Sequence, residues 1–462
     1  MLGTPEGARE TVMASAFLAD LAPAGDVIVD PDVLETYRHD QAAPGFLTAG
    51  TPLAVVRPIR TQQVQAALRA AARHGVPVVP RGAGSGLSGG ANAVDGGIVL
   101  SLERMNDVLD VDTSSLTATV GPGVINAHLD AAARENGLWY APDPASREFS
   151  TIGGNVATNA GGLCCVKYGV TREALLAAEV VMADGEILRV GRRTRKGVAG
   201  YDLAALLCGS EGTLGVITEA TVRLMPRARP SSTLAASFTT LSAAGRAIGR
   251  IVRHLQPSML ELMDRTTVRA VEDFQPMELD VDAQALLFAR SDVSFAEVEW
   301  MAAECEAEEA SLVVTSDEEA EGRMLMAARR LAYPALERLG ATLLDDVAVP
   351  LGAITALIEG VETISSRHGV LIATFGHAGD GNMHPTVVYD DHDRDATARA
   401  RAAFVEILML ALELGGTLAG EHGIGALKRE FLAAELGDGL VLQQRIKNLF
   451  DPANLLNPGK GL

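Results

Sequence analysis

Residues 81–91 read RGAGSGLSGGA, with five glycines in eleven positions. Gly84, Gly86 and Gly89 satisfy the pattern G-x-G-x-x-G. That pattern marks a dinucleotide site only where it opens a helix whose N-terminus holds the pyrophosphate. Here NAVDGGIVLSL follows, a turn and then a strand. The doubly wound nucleotide fold is therefore excluded. Two readings remain: a nest of successive backbone N–H groups that cradles phosphate, or a purely structural glycine loop.

Two further segments share this character. Residues 141–162, APDPASREFSTIGGNVATNAGG, carry the pairs Gly153-Gly154 and Gly161-Gly162. Paired glycines let a planar ring approach the backbone, and Asn155, Thr158 and Asn159 can hydrogen-bond its edge. GSEGTLGVITEATV begins at residue 209 and runs into a strand. The competing reading is three unrelated tight turns.

At 462 residues the chain is too long for one core, so two domains with an extension are expected. Residues 53–226 are strand-rich, with hairpins at LDVDTSSLTATVGPG and at AAEVVMADGEILRV, the second turning at Asp184-Gly185. TQQVQAALRAAARHG has helical spacing and stops at Gly75. From about residue 232, short strands (STLAASF, AQALLFARS, SLVVTSD) alternate with long helical patterns such as 243–254 and 394–414. That pattern predicts an antiparallel sheet with helices on one face, a duplicated α+β unit. FDPANLLNPGKGL at the end is turn-rich and needs a surface to dock on.

A net charge of −20 without a basic run excludes nucleic acid as a partner. Cys164, Cys165, Cys208 and Cys305 form neither a C-x-x-C pair nor a disulfide framework, which suggests a reducing compartment. The N-terminus, MLGTPEGARETVMASAFLADLAPAG, has early acids and no continuous apolar core. No run of about 18 apolar residues exists to cross a membrane. A cytoplasmic location is expected, peripheral at the membrane at most through a partner.

FGHAGDGNMH, residues 375–384, places two of nine histidines either side of a turn signal. GEHGIG at 420–425 adds a carboxylate and a third imidazole. Two imidazoles and one carboxylate with open positions form a recurrent divalent-metal site. Two histidines alone define no site, and Asp380 and Asn382 could simply form the turn.

Together these motifs resemble the vanillyl-alcohol-oxidase type of flavoproteins. RGAGSGLSGGA, APDPAS…STIGGNVATNAGG and GSEGTLGVITE match its FAD domain. GHAGDGNMH, GTLAGEHGIG and FDPANLLNPGK match the D-2-hydroxy-acid dehydrogenase branch, which includes the glycolate oxidase flavoprotein subunit, D-lactate dehydrogenase and D-2-hydroxyglutarate dehydrogenase. The motifs run in family order from about residue 53 to 460.

The resemblance implies an α+β chain. Residues 1–226 would form a bilobal PCMH-type FAD-binding domain with an N-terminal helical extension. Residues 227–430 would form a ferredoxin-like cap, and 431–462 a tail returning to the FAD domain. FAD would be held by Arg81, Gly82, Ala83, Gly84, Ser85, Gly86, Leu87 and Ser88. Pro142, Asp143, Thr151, Gly153, Gly154, Asn155, Thr158 and Gly161 would follow from the second segment. Glu211, Gly212 and Ile217 would come from the third, and Asn457 from the tail. His377, His384 and Glu421 match the metal ligands, for Zn²⁺ or Mn²⁺.

By the same resemblance His422 is the base that takes the hydroxyl proton while hydride leaves Cα for flavin N5. Arg329 is the carboxylate-binding arginine, although the helical pattern alone does not separate it from Arg330. Hydroxyglutarate members carry a lysine before the strand that here reads LLDDVAVP, and this chain has Leu344, Asp345 and Asp346. That favours a monocarboxylate, D-lactate or glycolate, over D-2-hydroxyglutarate. A glycolate oxidase catalytic subunit is a further reading, with an iron–sulfur partner on another chain because cluster-ligand cysteines are missing here. The acceptor could otherwise be a quinone, a cytochrome, another flavoprotein or oxygen. A different class, a metal-dependent hydrolase, would leave the glycine segments unexplained. The adjacent Cys164-Cys165 has no assigned role.

Some family members attach the flavin through a His or Cys, and residues 81–91 contain neither. FAD is therefore expected to be non-covalent: acid precipitation should release all the yellow chromophore, and colour retained in the pellet would refute this.

Overall fold

The computed structural model describes residues 15–194, 196–226 and 230–462. Residues 15–20 are helical, and the rest of the expected N-terminal extension, residues 1–14, lies outside the described residues.

The first half is built on two sheets. Strands Ala54–Arg57, Ile98–Ser101 and Val78–Arg81 lie parallel, with Asp26–Ile28 antiparallel at one edge. The helix Thr61–His74 covers them through Val64, Ala67, Leu68 and Ala71, and closes at Gly75 in the left-handed region (φ 66°). The second sheet is antiparallel, in the order 108–112, 117–120, 216–223, 175–181, 187–191. Both expected hairpins are its outer pairs. The 81–91 segment leaves its strand as a loop and does not open a helix.

The second half forms one antiparallel sheet. Its order is 310–316, 232–238, 285–291, 259–264, 371–377, 382–389, 341–344, with Val347–Ala348 also pairing to 382–389. The expectation of helices on one face needs correction. Helices Leu241–His254, Phe295–Ala307, Ile354–His368 and Arg394–Glu413 pack on one side. Arg265–Phe274 and Ala327–Glu337 cover part of the other. The cause is visible in the strands: Met259–Asp264 and Asn382–Tyr389 are buried at every position, so neither face could be left to water.

The tail docks by backbone pairing. Val78 N–H donates to Leu455 (2.8 Å) and Asn457 N–H to Val78 (2.8 Å), which extends the parallel sheet by one bridge. Helix Gly439–Phe450 delivers Lys447 into this joint. Its ammonium donates to the Thr213 and Leu456 carbonyls (2.8 and 2.9 Å) and to Asp451. Asp451 in turn accepts the N–H groups of Leu455 (3.0 Å) and Leu456 (2.7 Å). Among the described residues no helix is long and apolar enough to cross a membrane.

Asp451 is fully buried, so its removal strands a buried ammonium and two N–H groups. Asp451→Ala should cost about 3–5 kcal/mol, as for one partner lost from a buried ion pair. The shift in denaturation midpoint measures it, and a loss under about 1 kcal/mol would mean that the tail is anchored by other contacts.

Candidate active site

A hairpin explains the two histidines of 375–384. Strand Leu371–His377 pairs with Asn382–Tyr389 so that Phe375 faces His384 and His377 faces Asn382. Alternation then puts Phe375, His377 and His384 on one sheet face. The two imidazoles lie 5.2 Å apart, nearly perpendicular. Glu261, on the neighbouring strand, shares that face. Its Oε1 lies 2.7 Å from His377 Nδ1.

The GEHG turn arrives from the far end of the cap. Asp346 holds it: one carboxylate oxygen accepts the N–H groups of Glu421 (2.9 Å) and His422 (2.7 Å), and the other accepts Asn382 Nδ2 (2.8 Å). Behind it the buried Lys428 bonds Asp345 (2.7 Å) and the carbonyls of Asp346 and Leu418. Glu421 Oε1 thereby comes within 3.4 Å of His377 Nε2 and 3.5 Å of both His384 Nε2 and His422 Nε2. The His384 and His422 rings stack at 5.1 Å.

His377, His384 and Glu421 each offer a ligand atom within 4.8 Å of the other two. Ligands about 2.1 Å from a common ion stand roughly 3.0–3.4 Å apart, so the set fits a divalent cation after small movements. The electrostatics agree. Burial disfavours charge on His377, but Glu261 and Glu421 outweigh it and hold the imidazolium well above its ordinary range. Burial, reinforced by His422 and His377, presses His384 down to about 3, leaving a neutral donor. Glu421 is ionised despite burial, because His377 and His422 lower it. His422 is lowered by burial but raised further by Asp346 and Glu421, so its net basicity is enhanced.

Arg329 approaches from the helix Ala327–Glu337. Its Nε donates to Glu261 Oε2 (2.8 Å), and its guanidinium lies 4.8 Å from the centre of the Phe375 ring. Arg330 also lines the cavity, with its Nη2 donating to the Arg323 carbonyl.

One cavity of about 700 Å³ joins this cluster to the glycine segments. Residues 81–88, Thr151, Gly153, Gly154, Asn155, Thr158, Gly161, Glu211, Gly212 and Ile217 line it, as do Arg329, His377, His384, Glu421 and His422. Among the described residues, no N–H of 82–88 donates to a protein acceptor. A run of N–H groups without protein acceptors in a cavity-lining loop fits the diphosphate of a dinucleotide. The approach of the two halves is tight: a Cβ on Gly161 would lie 2.4 Å from Glu421 Oε2.

Three residues expected at the cofactor do not line the cavity. The Pro142 carbonyl accepts Asn126 Nδ2 (3.2 Å), and Asp143 accepts the Cys164 N–H (2.9 Å). Asn457 Nδ2 bridges the carbonyls of Gly90 and Glu211. They brace the loops from behind. The segment after Ile152 is also a short helix, capped by Thr151, rather than an open loop. Cys164 and Cys165 are free thiols, raised by burial and then by Asp143.

The roles of Glu261, Asp346 and Lys428 escaped the reading of the sequence. A signal existed for the first two: the lone acid in MLELM and the acid pair Asp345-Asp346 inside the otherwise apolar LLDDVAV.

Comparison with known proteins follows the same division. A family described as "FAD linked oxidases, C-terminal domain" matches residues 227–461, and "FAD binding domain" matches 52–191. The chain is 42% identical to "Glycolate oxidase subunit GlcD" of Bacillus subtilis (strain 168), over 92% of this chain and 91% of that one. It is 37% identical to the D-lactate dehydrogenase of Archaeoglobus fulgidus, over 92% and 95%. The solved structure of p-cresol methylhydroxylase with substrate bound superposes with a TM-score of 0.80 at 19% identity, over 99% of this chain and 98% of that one.

Proposed function

The chain belongs to the FAD-linked oxidases, and on that premise we propose that it oxidises a D-2-hydroxy acid, D-lactate or glycolate, to the 2-oxo acid. One observation supports this most. A single cavity is walled on one side by the free N–H groups of 82–88 and on the other by His377, His384, Glu421, His422 and Arg329. When bound, FAD supplies the two-electron acceptor and a divalent ion, Zn²⁺ or Mn²⁺, supplies a Lewis acid for the substrate hydroxyl.

The chain's own groups do the rest. His377, His384 and Glu421 would hold the ion. Arg329 keeps both terminal amino groups without a protein partner among the described residues, and these bind the substrate carboxylate bidentately. His422 Nε2 takes the hydroxyl proton, and the neighbouring Asp346 and Glu421 stabilise the imidazolium that results. Leu344, Asp345 and Asp346 stand where hydroxyglutarate members carry a lysine, which favours a monocarboxylate, with Arg330 also lining the cavity beside Arg329. Electrons leave to an external acceptor. The relative named as a subunit favours a partner polypeptide for that step.

Anaerobic addition of D-lactate or glycolate should bleach the flavin band near about 450 nm, and L-lactate should not. Chelator treatment should slow bleaching by about a hundredfold, with recovery on adding Mn²⁺ or Zn²⁺. Bleaching indifferent to chelator removes the metal from the reading. No bleaching with any D-2-hydroxy acid removes the substrate class. Arg329→Ala should lower kcat/KM about a hundredfold or more, as loss of a charge-assisted pair would. Unchanged kinetics would exclude Arg329 as the carboxylate anchor.

A further inference from the structure

Glu261 is wholly buried at the centre of the cap sheet, between Leu260 and Leu262 of the opposite face. A buried carboxylate is costly, and a well-packed apolar side chain would serve stability at least as well. Its two oxygens have separate partners. Oε1 meets His377 Nδ1 at 2.7 Å, and Oε2 accepts Arg329 Nε at 2.8 Å. We propose that Glu261 is a positioning residue that ties the metal ligand His377 to the substrate-binding Arg329 through one carboxylate.

Each contact has a definite consequence. A carboxylate on Nδ1 fixes that nitrogen as the donor, so the lone pair of Nε2 is directed at Glu421 and His384. Accepting Nε of Arg329 leaves both terminal amino groups for the substrate, while Phe375 limits rotation of the guanidinium plane. One carboxylate thereby links the residue that would hold the ion to the residue that would hold the substrate carboxylate.

The inference rests on the proposed metal and substrate reading, and its test separates the two. Flavin-loaded, chelator-stripped protein is titrated with Mn²⁺, with free ion counted by electron paramagnetic resonance. Glu261→Gln should bind Mn²⁺ about 10–100-fold more weakly, as other losses of an outer carboxylate do. At saturating Mn²⁺ its KM for D-lactate should rise at least about tenfold while kcat falls less. Combined with Arg329→Ala, Glu261→Gln should add little to KM, because both act through one contact. Glu261→Asp keeps the charge and should fall between parent and Glu261→Gln; it decides the question if Glu261→Gln fails to load flavin.

Mn²⁺ affinity within about twofold of the parent, in whichever variant loads flavin, overturns the inference while leaving the metal reading intact. A parent that binds no Mn²⁺, or whose His377→Ala variant binds equally well, overturns both.

Discussion

Everything at this site depends on one seam, where the 420–427 segment of the cap is pressed between the first glycine loop and the tail. Glu211 makes the seam. Its two oxygens accept the N–H groups of Ile424 (2.9 Å) and Gly425 (2.8 Å), and Ser88 takes part from the other side through the N–H groups of Ala426 and Leu427. Glu211 adopts a left-handed backbone (φ 52°), which costs a residue with a side chain on the order of 1 kcal/mol or more. Two charge-assisted bonds of about 1.5–3 kcal/mol each outweigh that cost. Gly425 is equally constrained, since a Cβ there would meet the Ser88 carbonyl at 2.0 Å. The glycine loop therefore has two duties: it lines the cavity with N–H groups that have no protein acceptor among the described residues, and Ser88 fixes the turn that carries Glu421 and His422.

Asp346 is the second organiser, and its arrangement differs in kind. It holds the turn by backbone N–H groups, so Glu421 and His422 are placed by main chain rather than by their own side chains. Both side chains stay available. The cost is a crowded set of acids around the cluster, partly balanced by the buried Lys428. His377 answers that crowding from the other side: against burial, Glu261 and Glu421 hold its imidazole above the ordinary range.

Much of this architecture was legible in the sequence, for identifiable reasons. Strands with turn residues at both ends, such as 175–181 and 187–191 around Asp184-Gly185, carry local signals that tertiary context did not override. The histidines drew notice through the resemblance of GHAGDGNMH and GEHGIG to the family's motifs, since two imidazoles beside a turn define no site by themselves. The helices on the second face of the cap were not. Met259–Asp264 and Asn382–Tyr389 are buried throughout, and a strand without alternation does not reveal what covers it. Pro142, Asp143 and Asn457 lie in the right segments yet behind the wall, because sequence position does not specify which side of a loop faces the cavity.

Glu261 and Asp346 were hidden for a different reason. Neither belongs to a spaced motif, and their partners are 116 and 75 or 76 residues away along the chain. Only the sheet register makes them neighbours of the cluster. Motif reading therefore finds groups that would touch ion, cofactor or substrate, and it overlooks groups that aim them. The compensating rule is energetic. A single acid in a strand that is otherwise apolar must find donors within the interior or remain unpaired at a cost of several kcal/mol. Asp264, at the strand's end, takes the N–H groups of Thr267 and Thr374, whereas the partners of Glu261 are an imidazole and a guanidinium of residues that line the cavity. The acid inside the apolar strand is thus the one that contacts both.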